Sequence, residues 1–106
     1  MNDRPRTFLV ECFTPGVDEA AVAAAGDRAR AVAADLRDGG SRIEYLGALL
    51  VSGDEVVFHV FAAESADDVK AAGTAAELPY ERVVESVGVA PDSPPGTTLK
   101  WVLGKA

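Results

Sequence analysis

Between Ile43 and Ala62 the chain carries two β-rich runs separated only by Ser52-Gly53-Asp54, and no other feature constrains the fold as much. A short polar gap containing glycine between two such runs predicts a β-hairpin. The hairpin sits near the middle of 106 residues, with one helix-periodic segment on each side of it. Within it, Val56-Val57-Phe58-His59-Val60-Phe61 is almost continuously apolar, which predicts a strand covered on both faces and central in its sheet.

Upstream, Thr7 to Phe13 alternates between Phe8, Val10, Cys12 and Leu9, Glu11, Phe13, the two-residue period of a strand. Thr14-Pro15-Gly16 breaks it, and Asp18 can cap the helix that follows to about Arg37. Val22, Ala25, Ala29, Val32, Ala33 and Leu36 recur at steps of three and four, giving that helix one apolar stripe, and its small alanines let it lie close to a sheet. Gly39-Gly40 supplies its stop. Downstream of the hairpin, Ser65 caps a second helix to about Glu77, which Leu78-Pro79 ends. Arg82 to Val89 alternates again as a fourth strand.

Strand, helix, hairpin, helix, strand is the βαββαβ, or ferredoxin-like, arrangement of the α+β class: a four-stranded antiparallel sheet with two helices on one face. Right-handed crossovers place strands one and three in the middle. The reading is one domain over 1–106, with its core at about 7–89 and a Pro-rich linker and C-terminal arm over 90–106. Trp101 in that arm packs either on its own domain or on a partner.

The other face of the sheet is left open. If Phe8, Val10, Cys12, Phe58 and Val60 face the helices, the open face holds Leu9, Glu11, Phe13, Val57, His59 and Phe61. So apolar a surface needs a cover, and the same face of a second copy is the expected one, as a homodimer. Glu85, Glu11 and His59 then align across strands four, one and three, with Tyr45 beside them and Phe13 and Phe61 around them. Enclosed, the trio would bind a small molecule, move a proton near neutral pH, or hold a divalent metal such as nickel or zinc. A mutual hydrogen bond would equally satisfy the buried groups without any function. Cys12 reads as core packing, and Arg28 with Asp35 as an ordinary surface pair.

Acidic residues outnumber basic ones 17 to 10, for a formal charge of −7, and the ten cations are scattered. That argues against nucleic acid and against an anionic membrane surface as partners. A single cysteine allows no internal disulfide, Met1 to Arg6 is polar, and no run reaches membrane-spanning length, so a cytoplasmic location is expected.

Four stretches carry a family resemblance: Phe8-Leu9-Val10-Glu11, Thr14-Pro15-Gly16-Val17, Tyr45-Leu46-Gly47, and Leu78-Pro79-Tyr80-Glu81-Arg82-Val83-Val84-Glu85. Over roughly Thr7 to Val89 the chain resembles the nickel-binding-protein-like family of small bacterial domains. The resemblance implies a ferredoxin-like fold paired through its sheets as a dimeric α+β barrel. Members often carry a histidine on the second helix shortly before the Leu-Pro, whereas Lys70 to Glu77 contains none. The functions open to the chain are therefore a dimeric small-ligand or metal-ion binding module, a cofactor-independent isomerase, cyclase or monooxygenase with His59 or a glutamate such as Glu11 moving the proton, or a structural or interaction protein.

Overall fold

A computed structural model describes residues 6–86, together with the backbone of 100–102. The elements are β1 (Arg6–Phe13), α1 (Glu19–Asp38), β2 (Glu44–Val51), β3 (Val56–Ala63), α2 (Ala66–Ala75), β4 (Tyr80–Ser86) and β5 (Lys100–Val102). The sheet is antiparallel throughout, in the order β4-β1-β3-β2-β5. Its first four strands and two helices are the expected α+β, ferredoxin-like βαββαβ fold. The fifth strand was not part of that expectation: Lys100–Val102 pairs with β2 of its own chain, with Trp101 at the register position opposite Leu49. Residues 87–99 and 103–106, which include the end expected for the fourth strand and the Pro-rich linker, lie outside the described residues.

Local chemistry accounts for each boundary. Pro15 and Gly16, with Gly16 at φ +75°, form a turn closed by the Val17 N–H on the Thr14 carbonyl, 3.1 Å. The turn is tied to the β2–β3 hairpin by the Thr14 N–H on the Glu55 carbonyl and the Gly16 N–H on the Glu55 carboxylate, each 3.0 Å. Asp18 caps α1 by accepting from the Ala21 N–H at 2.8 Å. The helix closes at Gly39-Gly40, where Gly40 takes φ +104° and the Ser41 N–H reaches back to the Leu36 carbonyl. Ser65 caps α2, as expected, but that helix stops two residues before the predicted Glu77. Glu77 itself adopts φ +60° while the Leu78 N–H returns to the Gly73 carbonyl, so a helix-closing turn acts before Pro79 can.

The core lies between one sheet face and the two helices. It joins Phe8, Val10 and Cys12 of β1, Val57, Phe61 and Ala63 of β3, and Tyr45, Ala48 and Leu50 of β2 to Val22, Ala29 and Ala33 of α1 and Val69 and Ala72 of α2. Directly opposed residues of an antiparallel pair share a face. Phe8 opposes Phe61, Val10 opposes His59 and Cys12 opposes Val57, so these six face the helices together. The expected facing of β3 is thereby corrected: Val57, His59 and Phe61 point to the helices, and Val56, Phe58 and Val60 share the open face with Leu9, Glu11 and Phe13.

A bulge in β2 has a consequence for the site. Tyr45 opposes Phe61 and Gly47 opposes Val60, which leaves Leu46 as an extra, exposed residue. Gly47 holds φ +139°, open to glycine but rarely to other residues. Strict alternation would put Tyr45 and Ala48 on opposite faces; the bulge lets both point to the helices.

Candidate functional site

The structure does not assemble the expected trio. Glu11 lies on the open face, where it opposes Arg82 and accepts a hydrogen bond from it. Glu85 opposes Phe8 rather than Glu11 and is paired with Arg6 at 3.2 Å, both side chains about half exposed. His59 is buried at 2 % exposure on the other side of the sheet. Phe13 is 50 % exposed at the end of β1 and encloses none of them. With the two carboxylates ion-paired to arginines and the imidazole beneath the helices, these residues do not fit a shared divalent cation. Among the described residues, no group of three or more His, Cys, Asp or Glu is placed to hold one.

Three of the expected residues do meet, on the helix side. The Tyr45 hydroxyl lies 2.8 Å from His59 Nδ1, and the edge of the Tyr45 ring meets Phe61 with centroids 5.2 Å apart. Gly26 of α1 makes room for this phenol: a Cβ there would come 2.9 Å from the Tyr45 hydroxyl. Among the described residues His59 is the one hydrogen-bond partner of the Tyr45 hydroxyl. A buried phenol that accepted from Nδ1–H would leave its own proton without an acceptor, so we assign the donor role to Tyr45 and the remaining ring proton to Nε2. Burial also pushes the Tyr45 hydroxyl away from ionisation, which keeps it a donor.

His59 forms part of the wall of a cavity of about 310 Å³ between the first half of α1 and the adjoining ends of β1 and β3. Cys12, Val57, Val17, Val22, Ala25 and Pro79 supply most of its apolar lining. Thr14 and Arg28 also line it. The Thr14 hydroxyl oxygen is closed off from the cavity and has no hydrogen-bond partner among the described residues. Arg28 donates through Nε to the carbonyl of Ala76, the cap of α2, at 2.9 Å. Its terminal nitrogens make no hydrogen bond or ion pair among the described residues, so the expected surface pair with Asp35 is not formed.

These surroundings fix the charge states. Burial, and then the positive charge of Arg28, push the His59 pKa down from 6.5 to about 4, so the ring is neutral at physiological pH. Burial, with Glu81 and Glu11 adding to it, pushes the Cys12 thiol up to about 11, which leaves it a protonated, unreactive wall. What faces the cavity is therefore a set of hydrogen-bond donors and one cation on an apolar surface.

The reading of the residues missed Arg28, Thr14 and the alanines of α1. The alanine stripe suggests close approach to the sheet, and around Ala29 and Ala33 it delivers that. One to two turns earlier, Ala21, Ala24 and Ala25 line the cavity with nothing larger than a methyl group. Comparison with known protein families, curated proteins and solved structures finds no match to this chain.

Proposed function

We propose that the protein is a binding module for a small, mostly apolar molecule, held in the cavity between α1 and the sheet. The observation that carries this reading is a neutral, buried His59 whose Nδ1 is fixed by Tyr45 and whose other nitrogen, beside an apolar void, has no partner among the described residues. Binding pockets combine mostly apolar walls with a few convergent polar groups, at volumes from about 300 Å³ upward. An enzymatic reading that draws on Glu11 and His59 together has less support, since the two stand on opposite faces of the sheet. Kinship with the nickel-binding-protein-like family is part of the proposal, supported by the shared motifs and element order. The metal in that name is not carried over.

Octanol serves as a neutral apolar probe. It should saturate the protein and shift the methyl resonances of Ala25, Val22 and Val57 in NMR spectra. Ala25→Leu fills the void, so it should raise stability by about 0.5–2 kcal/mol while abolishing those shifts. A destabilised Ala25→Leu protein that still binds octanol would mean that the cavity is not the site.

The homodimer is also proposed, through the open face. Phe13 at 50 % and Val84 at 37 % exposure flank the Glu11–Arg82 pair on that face, whose acid and cation are self-complementary across a two-fold axis. Sedimentation should give twice the chain mass at micromolar concentration, and Phe13→Glu should return it to the monomer mass. A monomer at all concentrations refutes the pairing. A cytoplasmic setting accords with the free thiol of Cys12, and no described helix is long and apolar enough to cross a membrane.

A further inference from the structure

The groups around the cavity are unequal in a way that selects a ligand. Arg28 presents terminal guanidinium nitrogens with no protein acceptor among the described residues. His59 presents Nε2–H, because the phenol of Tyr45 occupies Nδ1. Among the described residues no aspartate or glutamate lines the cavity, so none of them would receive an ammonium group there. Of the two donors, His59 is the buried one, and a buried donor without an acceptor costs free energy until a ligand supplies one, whereas Arg28 is exposed and keeps its fork in contact with water. The rest of the lining is hydrocarbon, and about 310 Å³ holds on the order of ten water-sized groups at roughly 30 Å³ each. A formal charge of −7 on the whole chain works against a multiply charged anion.

We propose that the ligand is an apolar monocarboxylate, its carboxylate received by the Arg28 guanidinium and His59 Nε2–H, and its hydrocarbon laid along Val22, Ala25 and Val57. This rests on the reading of the cavity as a binding site. Arginine suits the head group because its planar fork matches a carboxylate in a bidentate pair. The hydrogen bond from Nε to the Ala76 carbonyl holds that fork in place before the ligand arrives. His59 contributes as a neutral donor, so no proton needs to be taken up on binding.

The test compares octanoate, octanol and octylamine by titration calorimetry at neutral pH. Octanoate should bind roughly tenfold to a hundredfold more tightly than octanol, the range expected for charge-assisted hydrogen bonds, and octylamine most weakly. Arg28→Gln should weaken octanoate roughly tenfold or more and octanol by much less, so that the preference for octanoate collapses. In the imidazole nitrogen spectrum, octanoate should shift His59 Nε2 while Nδ1 stays hydrogen-bonded. Equal affinities for the three probes, all lost in Ala25→Leu, would overturn the carboxylate assignment and leave the binding site standing. If no probe binds, or if binding survives Ala25→Leu, both readings fail.

Discussion

Phe61→Ala is expected to cost about 3–5 kcal/mol of stability, whereas Phe58→Ala, three residues earlier on the same strand, should cost about 1 kcal/mol. Phe61 is 0 % exposed, opposite Phe8, and takes the edge of the Tyr45 ring. Removing it empties the centre of the helix-side core and withdraws a wall from the Tyr45–His59 pair. Phe58 opposes Glu11 and Leu49 on the open face and keeps part of its surface accessible. Denaturant unfolding of the two variants, at a concentration where the chain is monomeric, measures both costs. The difference tests the facing of β3 directly: a strand turned the other way would reverse the order. Because open-face pairing would also draw on Phe58, the dilute measurement separates folding from association.

That same strand shows where the sequence stops being informative. Alternation phases a strand only when one of its two faces is polar. In β1 the single Glu11 does this, and Leu9, Glu11 and Phe13 lie on the open face as read. In β3 both residue sets are apolar, and His59 is the one polar side chain. Placing a histidine away from the core is the ordinary choice, and here it is wrong, because Tyr45 supplies the partner that makes its burial tolerable. Tyr45 was in turn hard to place, since its facing depends on a bulge marked in the sequence only by Gly47. The element order, by contrast, rests on long periodic segments and on turn residues that each do local work: Asp18, Gly40 and Ser65 cap where they were read to cap. Arg28 could not be read as a cavity group because its anchor, the Ala76 carbonyl, lies 48 residues away and is backbone.

Acidification from pH 7 to pH 4 is expected to remove about 3 kcal/mol of stability through His59 alone. The unfolded chain takes up this proton near the ordinary value of 6.5, and the folded protein only near about 4, since burial and Arg28 oppose the charged ring. Between those values the unfolded state holds more protons, so stability rises with pH. The contribution is fully present above pH 6.5, declines as pH falls toward 4, and below that changes no further. Each pH unit inside the window is worth about 1.4 kcal/mol. No other histidine exists to contribute, and surface carboxylates ordinarily titrate near the bottom of the window, so the slope between pH 6.5 and 5 reports His59. His59→Asn supplies the control: its amide oxygen stands the same number of bonds from Cβ as Nδ1 and can accept from the Tyr45 hydroxyl, yet it does not titrate. Unfolding free energies of this variant should be nearly flat across pH 6.5 to 5 while the parent falls by about 2 kcal/mol. Parallel curves for the two proteins would place the imidazole in water and remove the neutral donor on which the carboxylate site depends.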